Sequence, residues 1–183
     1  AYDGRWSFTG NVATSDASLL VSGKRTPTRT ARLEFDASLP GDGTVALRRM
    51  HLTAKATDLE GSASFGRALT VRMHGKTRLE EIAPYAPMFR GTGDVVLDEL
   101  ALDLDAEGRL SASASLASES IRVQGGRLQK ARVRSHAEAR LVEGALADVK
   151  TDLSVTAARA ERGNILVEGL LLLEKGGGQS GAY

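Results

Sequence analysis

The chain has 183 residues, with 24 basic and 23 acidic side chains and a formal charge of +1. That balance argues against a dedicated nucleic-acid binder, whose phosphate contacts call for a positive excess. The absence of cysteine excludes disulfides and thiolate metal sites, and aromatic residues at 4% are fewer than a dense β-sandwich of this length carries, which favours a thin or hollow structure.

The dominant period is two, the period of a β-strand. "RWSFTGNV" puts Trp6, Phe8 and Val12 on one face. "SGKRTPTRTAR" then holds Lys24, Arg25, Arg29 and Arg32 with no acid before Glu34. Proline and threonine predict an extended, solvated loop there. A second use for its cations is contact with anionic lipid headgroups or an acidic partner. "ARLEFDASL" alternates cleanly, with Leu33 and Phe35 on the apolar side, and "PGDG" turns the chain.

In "TVALRRMHLTAKAT", Val45 and Leu47 share one parity while Met50 and Leu52 share the other. The phase slips at Arg48 and Arg49, as at a bulge. The same slip occurs between Leu97 and Leu100, and again between Leu146 and Val149. Strands that restart out of phase predict a sheet that bends repeatedly.

"RALTVRMHG" alternates Leu69 and Val71. In "KTRLEEIAPYAPMFRG", Thr77 stands three residues before Glu80, the spacing of a capping box. Leu79, Ile82 and Ala83 follow at helical spacing until Pro84 and Pro87 stop the helix. One short helix near 78–83 is predicted, packed against or plugging the sheet.

Beyond it, Leu97, Leu102, Leu104 and Leu110 keep an apolar face. "ASASLASES" fills the polar positions with serine, and "ARVRSHAEARL" sets Val133 against arginines. Leu153 and Val155 precede a Gly163-Asn164 turn, after which Ile165 and Val167 resume the face. The whole predicts an all-β fold: an elongated, curved sheet of ten to twelve strands of about six to ten residues each, with one short helix. We read residues 1–175 as one β-rich groove module excised from a longer protein, and 176–183 as a flexible glycine-rich tail.

Chemical motifs are absent. "DLDAEG" opens like a calcium loop, but Ala114 stands where the bidentate glutamate belongs, so a hairpin with acidic flanks is expected. His51, His74 and His136 fall singly on polar parity, each on a different strand. "EGSASFG" lacks nucleophile-elbow spacing, "VSGKRT" lacks the first glycine of a phosphate loop, and "RGTGDVV" lacks a third glycine. No enzyme, cofactor or metal site is predicted.

"LEEIAPYAPMFRGTGDVVLDELALDLDAEGRLSASASLASESIRVQGGRL" resembles the repeating segments of the AsmA-like and TamB-like proteins of the bacterial envelope. The resemblance rests on Leu79, Ile82, Pro84 and Tyr85, then Gly91, Gly93 and Leu97, then Gly108, Leu110 and Ala112. It implies a folded-over "β-taco" sheet whose apolar groove passes phospholipid between inner and outer membranes or assists outer-membrane assembly. It implies a periplasmic location in a Gram-negative bacterium, with a parent protein anchored in the inner membrane. Phospholipid, membrane proteins of either membrane and further segments of the same parent chain would be its partners, and nucleic acid would not.

The groove-lining candidates are the apolar residues of the alternating face. Leu33, Phe35, Leu47, Leu52, Leu69 and Val71 come from the first half. Leu97, Leu102, Leu104 and Leu110 follow the helix, and Val133, Leu153, Val155, Ile165 and Val167 close the set. A structural β-solenoid or sandwich, such as an adhesin or surface-array segment with a filled core and protein partners only, is the alternative.

Overall fold

The protein is described by a computed structural model over residues 6–14, 18–21, 24–27, 31–40, 42–82, 91–123, 125–142 and 145–178. Trp6–Thr14 forms β1, and Ser18–Val21 and Lys24–Pro27 form β2 and β3, a pair separate from the main sheet. Ala31–Leu39, Val45–Ala54, Thr57–Phe65 and Leu69–Arg78 are β4 to β7. A single helical turn, α1 (Leu79–Ile82), leads to β8 (Gly91–Thr92) and β9 (Asp94–Leu104). Four longer strands complete the chain: β10 (Arg109–Val123), β11 (Gly126–Val142), β12 (Ala145–Arg162) and β13 (Ile165–Gly178).

Ten strands hydrogen-bond in the order β1-β4-β5-β6-β7-β9-β10-β11-β12-β13, every pair antiparallel, and β8 adds to the end of β10. The result is one open, curved, all-β sheet of eleven strands with one short helix, as the alternation predicts. Each of the three phase slips read from the sequence coincides with a register shift in the sheet. One lies between Leu47 and Met50, one between Leu97 and Leu100, and one between Ala147 and Lys150. The extra residue at each lets the apolar parity change without changing face.

Several details depart from the sequence reading. Strands reach 18 residues, against the six to ten expected, because the ladder runs through these irregularities where the sequence pattern breaks. The capping box does not form. Thr77 is the penultimate residue of β7, and its hydroxyl bonds the Thr57 hydroxyl at 2.8 Å. Glu80 instead accepts the Gly93 amide at 3.3 Å, while the Leu79 amide donates to the Gly93 carbonyl at 3.0 Å. The basic segment is not wholly loop, since Lys24 and Arg25 lie on β3. Gly176, Gly177 and Gly178 belong to β13, opposite Thr151, Lys150 and Val149, although the tail was expected to begin at 176. Pro84, Tyr85 and Pro87 fall outside the described residues.

A further phase change crosses the four long strands together. Glu119, Lys130, Ala158 and Gly169 drop out of the ladder at neighbouring positions, Lys130 with φ 48° and Gly169 with φ 70°. The inward parity therefore passes from Leu116 to Ile121 and from Ala131 to Leu128. Leu79 folds over this line and packs with Val95, Ile121, Ala131 and Ala157, the main buried cluster. Gly91 and Gly93 allow β8 and the start of β9 to lie against β10. A Cβ on Gly91 would stand 2.4 Å from the Arg122 carbonyl oxygen, and one on Gly93 2.7 Å from that of Ser120.

Candidate functional site: an apolar trough

Residues opposite one another in a ladder share a face, and so do residues two apart in a strand. The registers can therefore be followed across the sheet as rows. One enters at Val12 and passes Leu33, Leu52 and Leu59 to Gly75. It continues through Leu97, Leu116, Val133 and Val155 and leaves at Leu172. Ten strands contribute nine apolar side chains and one glycine to this row.

The neighbouring rows on the same face behave alike. One joins Phe35 to Met50 and Met73, then Leu100, Ala114 and Leu153. Another joins Leu47, Ala63, Val71, Leu102 and Ala112. A third brings Leu69, Leu104 and Leu110 together. Toward the helix lies a fifth, with Ala54, Thr57, Thr77 and Val95 in its middle. Past the phase change, Val167 faces Ala160, with Ile165 two residues before it on the same side. All fifteen candidate residues thus fall on one face of the curved sheet. Leu59, Met50, Met73, Leu100 and Leu116 belong there too; alternation alone supplies the signal for each.

Across the described parts of these five rows, Glu174 on edge strand β13 is the one charged side chain. Past the phase change Arg162, opposite Ile165, adds a charge on this side; the ion pairs lie on the opposite face. Arg72 meets Asp103 at 2.8 Å, Arg32 meets Glu34 at 2.9 Å, and Arg159 meets Glu161 at 2.8 Å. Arg32 is therefore an outward ion-pair partner, and Arg29 lies outside the described residues. His51, Glu60 and His74 occupy successive strands of one outer row, so two of the three histidines are nearer one another than single placement suggests. His51 bonds Asp58 at 2.7 Å, and His136 lies 3.4 Å from Glu138. No group of three potential metal ligands converges among the described residues.

"DLDAEG" is the turn between β9 and β10. Asp105 accepts the amides of Arg109 at 2.8 Å and Glu107 at 2.9 Å, and the Arg109 amide first of all holds its carboxyl below the usual aspartate range. Asp42 does the same in the preceding β4–β5 turn, where the Thr44 amide lowers it. Asp94 raises the Arg78 guanidinium through a 2.8 Å hydrogen bond. All three shifts lie at turns or on the charged exterior, away from the trough.

The trough is lined but not filled. Among the described residues no large side chain is fully buried. Most of its buried members are small or lie at the helix, Ala37, Ala63, Ala131 and Ala157 with Val95, Ile121 and Leu79, and the larger Met50 and Leu97 are also buried, at 7 and 8% exposure. Beneath Leu79 remains a hollow of about 140 Å³, walled by Leu116, Ile121, Leu128, Val133, Leu153 and Val155 among others. No protein-family model, curated protein or solved structure matches the chain.

Proposed function

We propose that the trough binds the acyl chains of phospholipid, and that the chain is an AsmA-like or TamB-like segment that conducts lipid between the inner and outer membranes. The observation that supports this is the combination of five inward rows with one charge, at an edge, and no fully buried large side chain to close them. An acyl chain gains about 0.8 kcal/mol per methylene removed from water. A continuous Leu, Val and Ala surface therefore suffices, and a ligand that slides is better served by no fixed polar anchor. Nine inter-strand steps of about 4.8 Å make a path of roughly 43 Å. A scaffold module with an interlocked core would bury its leucines more completely than this sheet does.

The test places a charge on each face. Leu102 faces inward between Val71 and Ala112, whereas Ser111 faces outward between Asp103 and Glu138. With a phospholipid bearing a photoreactive acyl chain, Leu102→Arg should lower labelling about tenfold, because the middle of the trough would then hold a charge. Ser111→Arg should label as the parent does, and circular dichroism should show the sheet intact in both. Equal labelling of the two variants would reject the proposal.

A further inference from the structure

Among the described residues both ends of the sheet are open edges; β1 lacks the usual deterrents to further pairing, and on β13 they are limited to Glu168, Glu174, Lys175 and the positive-φ Gly169. Natural edges are blunted by charge, proline or irregularity. β1 has no charged residue and no proline in nine positions. Its inward side chains Trp6, Phe8 and Val12 are 66, 48 and 53% exposed. β13 carries Leu171, Leu172 and Leu173 at 61, 52 and 67% exposure, so it presents apolar side chains on both faces.

We propose that these edges pair with each other between copies of the chain, β13 of one copy against β1 of the next. Three features select this partner. First, the sheet path has ten antiparallel strands, so β1 and β13 run in opposite directions. A second copy placed end to end continues the antiparallel alternation with the same face inward.

Second, the central row continues without a break when Val12 of the next copy stands opposite Leu172. The apolar outer side chains Leu171 and Leu173 then meet Ala13 and Asn11, and no charge opposes a like charge. Third, that register sets Phe8 over Gly176 and Trp6 over Gly178. The same device already closes the β1–β4 seam. There the Phe35 ring covers Gly10, with its Cζ 2.6 Å from where a Cβ would sit, and Phe8 meets Phe35 edge-on at 6.2 Å. Space above Gly178 is open, whereas above Gly176 the Thr151 hydroxyl stands 2.7 Å from where a Cβ would sit, so Phe8 packs beside that side chain.

The contact is heterologous, so each copy still offers one free edge and the assembly grows without closing. The trough is thereby lengthened by a full sheet per copy. Nothing in this pairing depends on what the trough carries.

Two variants with exposed outer-face substitutions test it. Leu171→Lys with Leu173→Lys charges the β13 edge, and Asn11→Lys with Ala13→Lys charges the β1 edge. By sedimentation velocity the parent should form a concentration-dependent series of species, and each variant alone should be monomeric. An equimolar mixture should give one species of two chains, since each variant keeps the edge that the other lacks. A parent that stays monomeric, or a mixture that stays monomeric, overturns the proposal. So does self-association of the Asn11→Lys, Ala13→Lys chain, which would mean β13 paired with β13, and so does equal aggregation of parent and variants.

Discussion

The two halves of the sheet solve the same problem differently. In β1 and β4 to β7 the strands are nine or ten residues long, and their inward side chains stay mostly half-exposed. In β10 to β12 they are 15 to 18 residues long, and the added length turns inward again past the phase change, under Leu79. Among the described residues, only this second half acquires a buried aliphatic cluster. A single-layer sheet thus gains a local core from strand extension and one helical turn, while the rest of the trough stays unroofed.

That contrast can be broken at several points. The largest effect is expected in the first half, at Gly61. A Cβ there would stand 2.0 Å from the Arg72 carbonyl oxygen, a backbone atom that moves only if β7 moves. Gly61→Val should cost about 3 kcal/mol or more in urea unfolding, whereas Gly178→Ala, with open space around it, should cost almost nothing. In the second half, Leu79 is 4% exposed, and Leu79→Ala should cost about 2–3 kcal/mol. Hydrogen exchange should then quicken around Ile121, Ala131 and Ala157 but not in β4 to β6. A loss spread evenly over both halves would contradict a locally built core.

Smaller effects belong to the outer face and the turns. The Arg72–Asp103 pair is about half exposed on both sides, so Asp103→Asn should change stability by less than about 1 kcal/mol, with the difference shrinking in salt. Asp42 and Asp105 are held below their unfolded value. Their contribution is therefore present above the unfolded pKa of about 3.9 and lost as pH falls through the lower folded one. The gap in stability between the parent and Asp105→Ala should be constant from pH 7 to about 5 and should narrow below about 4.

Much of this architecture is legible in the sequence because the apolar parity is rarely interrupted. "ARLEFDASL" fixes the inward face of β4, and each polar doublet where the parity slips marks a shift in the ladder. The second phase change is hidden for a physical reason. Ser118 and Ser120 share one parity and one side-chain type, so nothing in the sequence marks that the first faces inward and the second outward, and four strands shift together without losing register. Ile121 and Leu128 were missed as trough residues on that account. The Thr77–Glu80 spacing misled because Thr77 finds a closer partner in Thr57 on the neighbouring strand. A tertiary hydrogen bond outcompetes the local cap. Whether a curved apolar face is filled or empty also depends on how far the strands coil, which alternation does not encode.

The most direct measurement is mass spectrometry of an organic extract of the full chain, purified from bacterial cells without detergent. Phospholipid recovered in fixed proportion to protein, and lost in Leu102→Arg, is the predicted result. An extract free of lipid, from protein whose sheet is intact, would contradict the account.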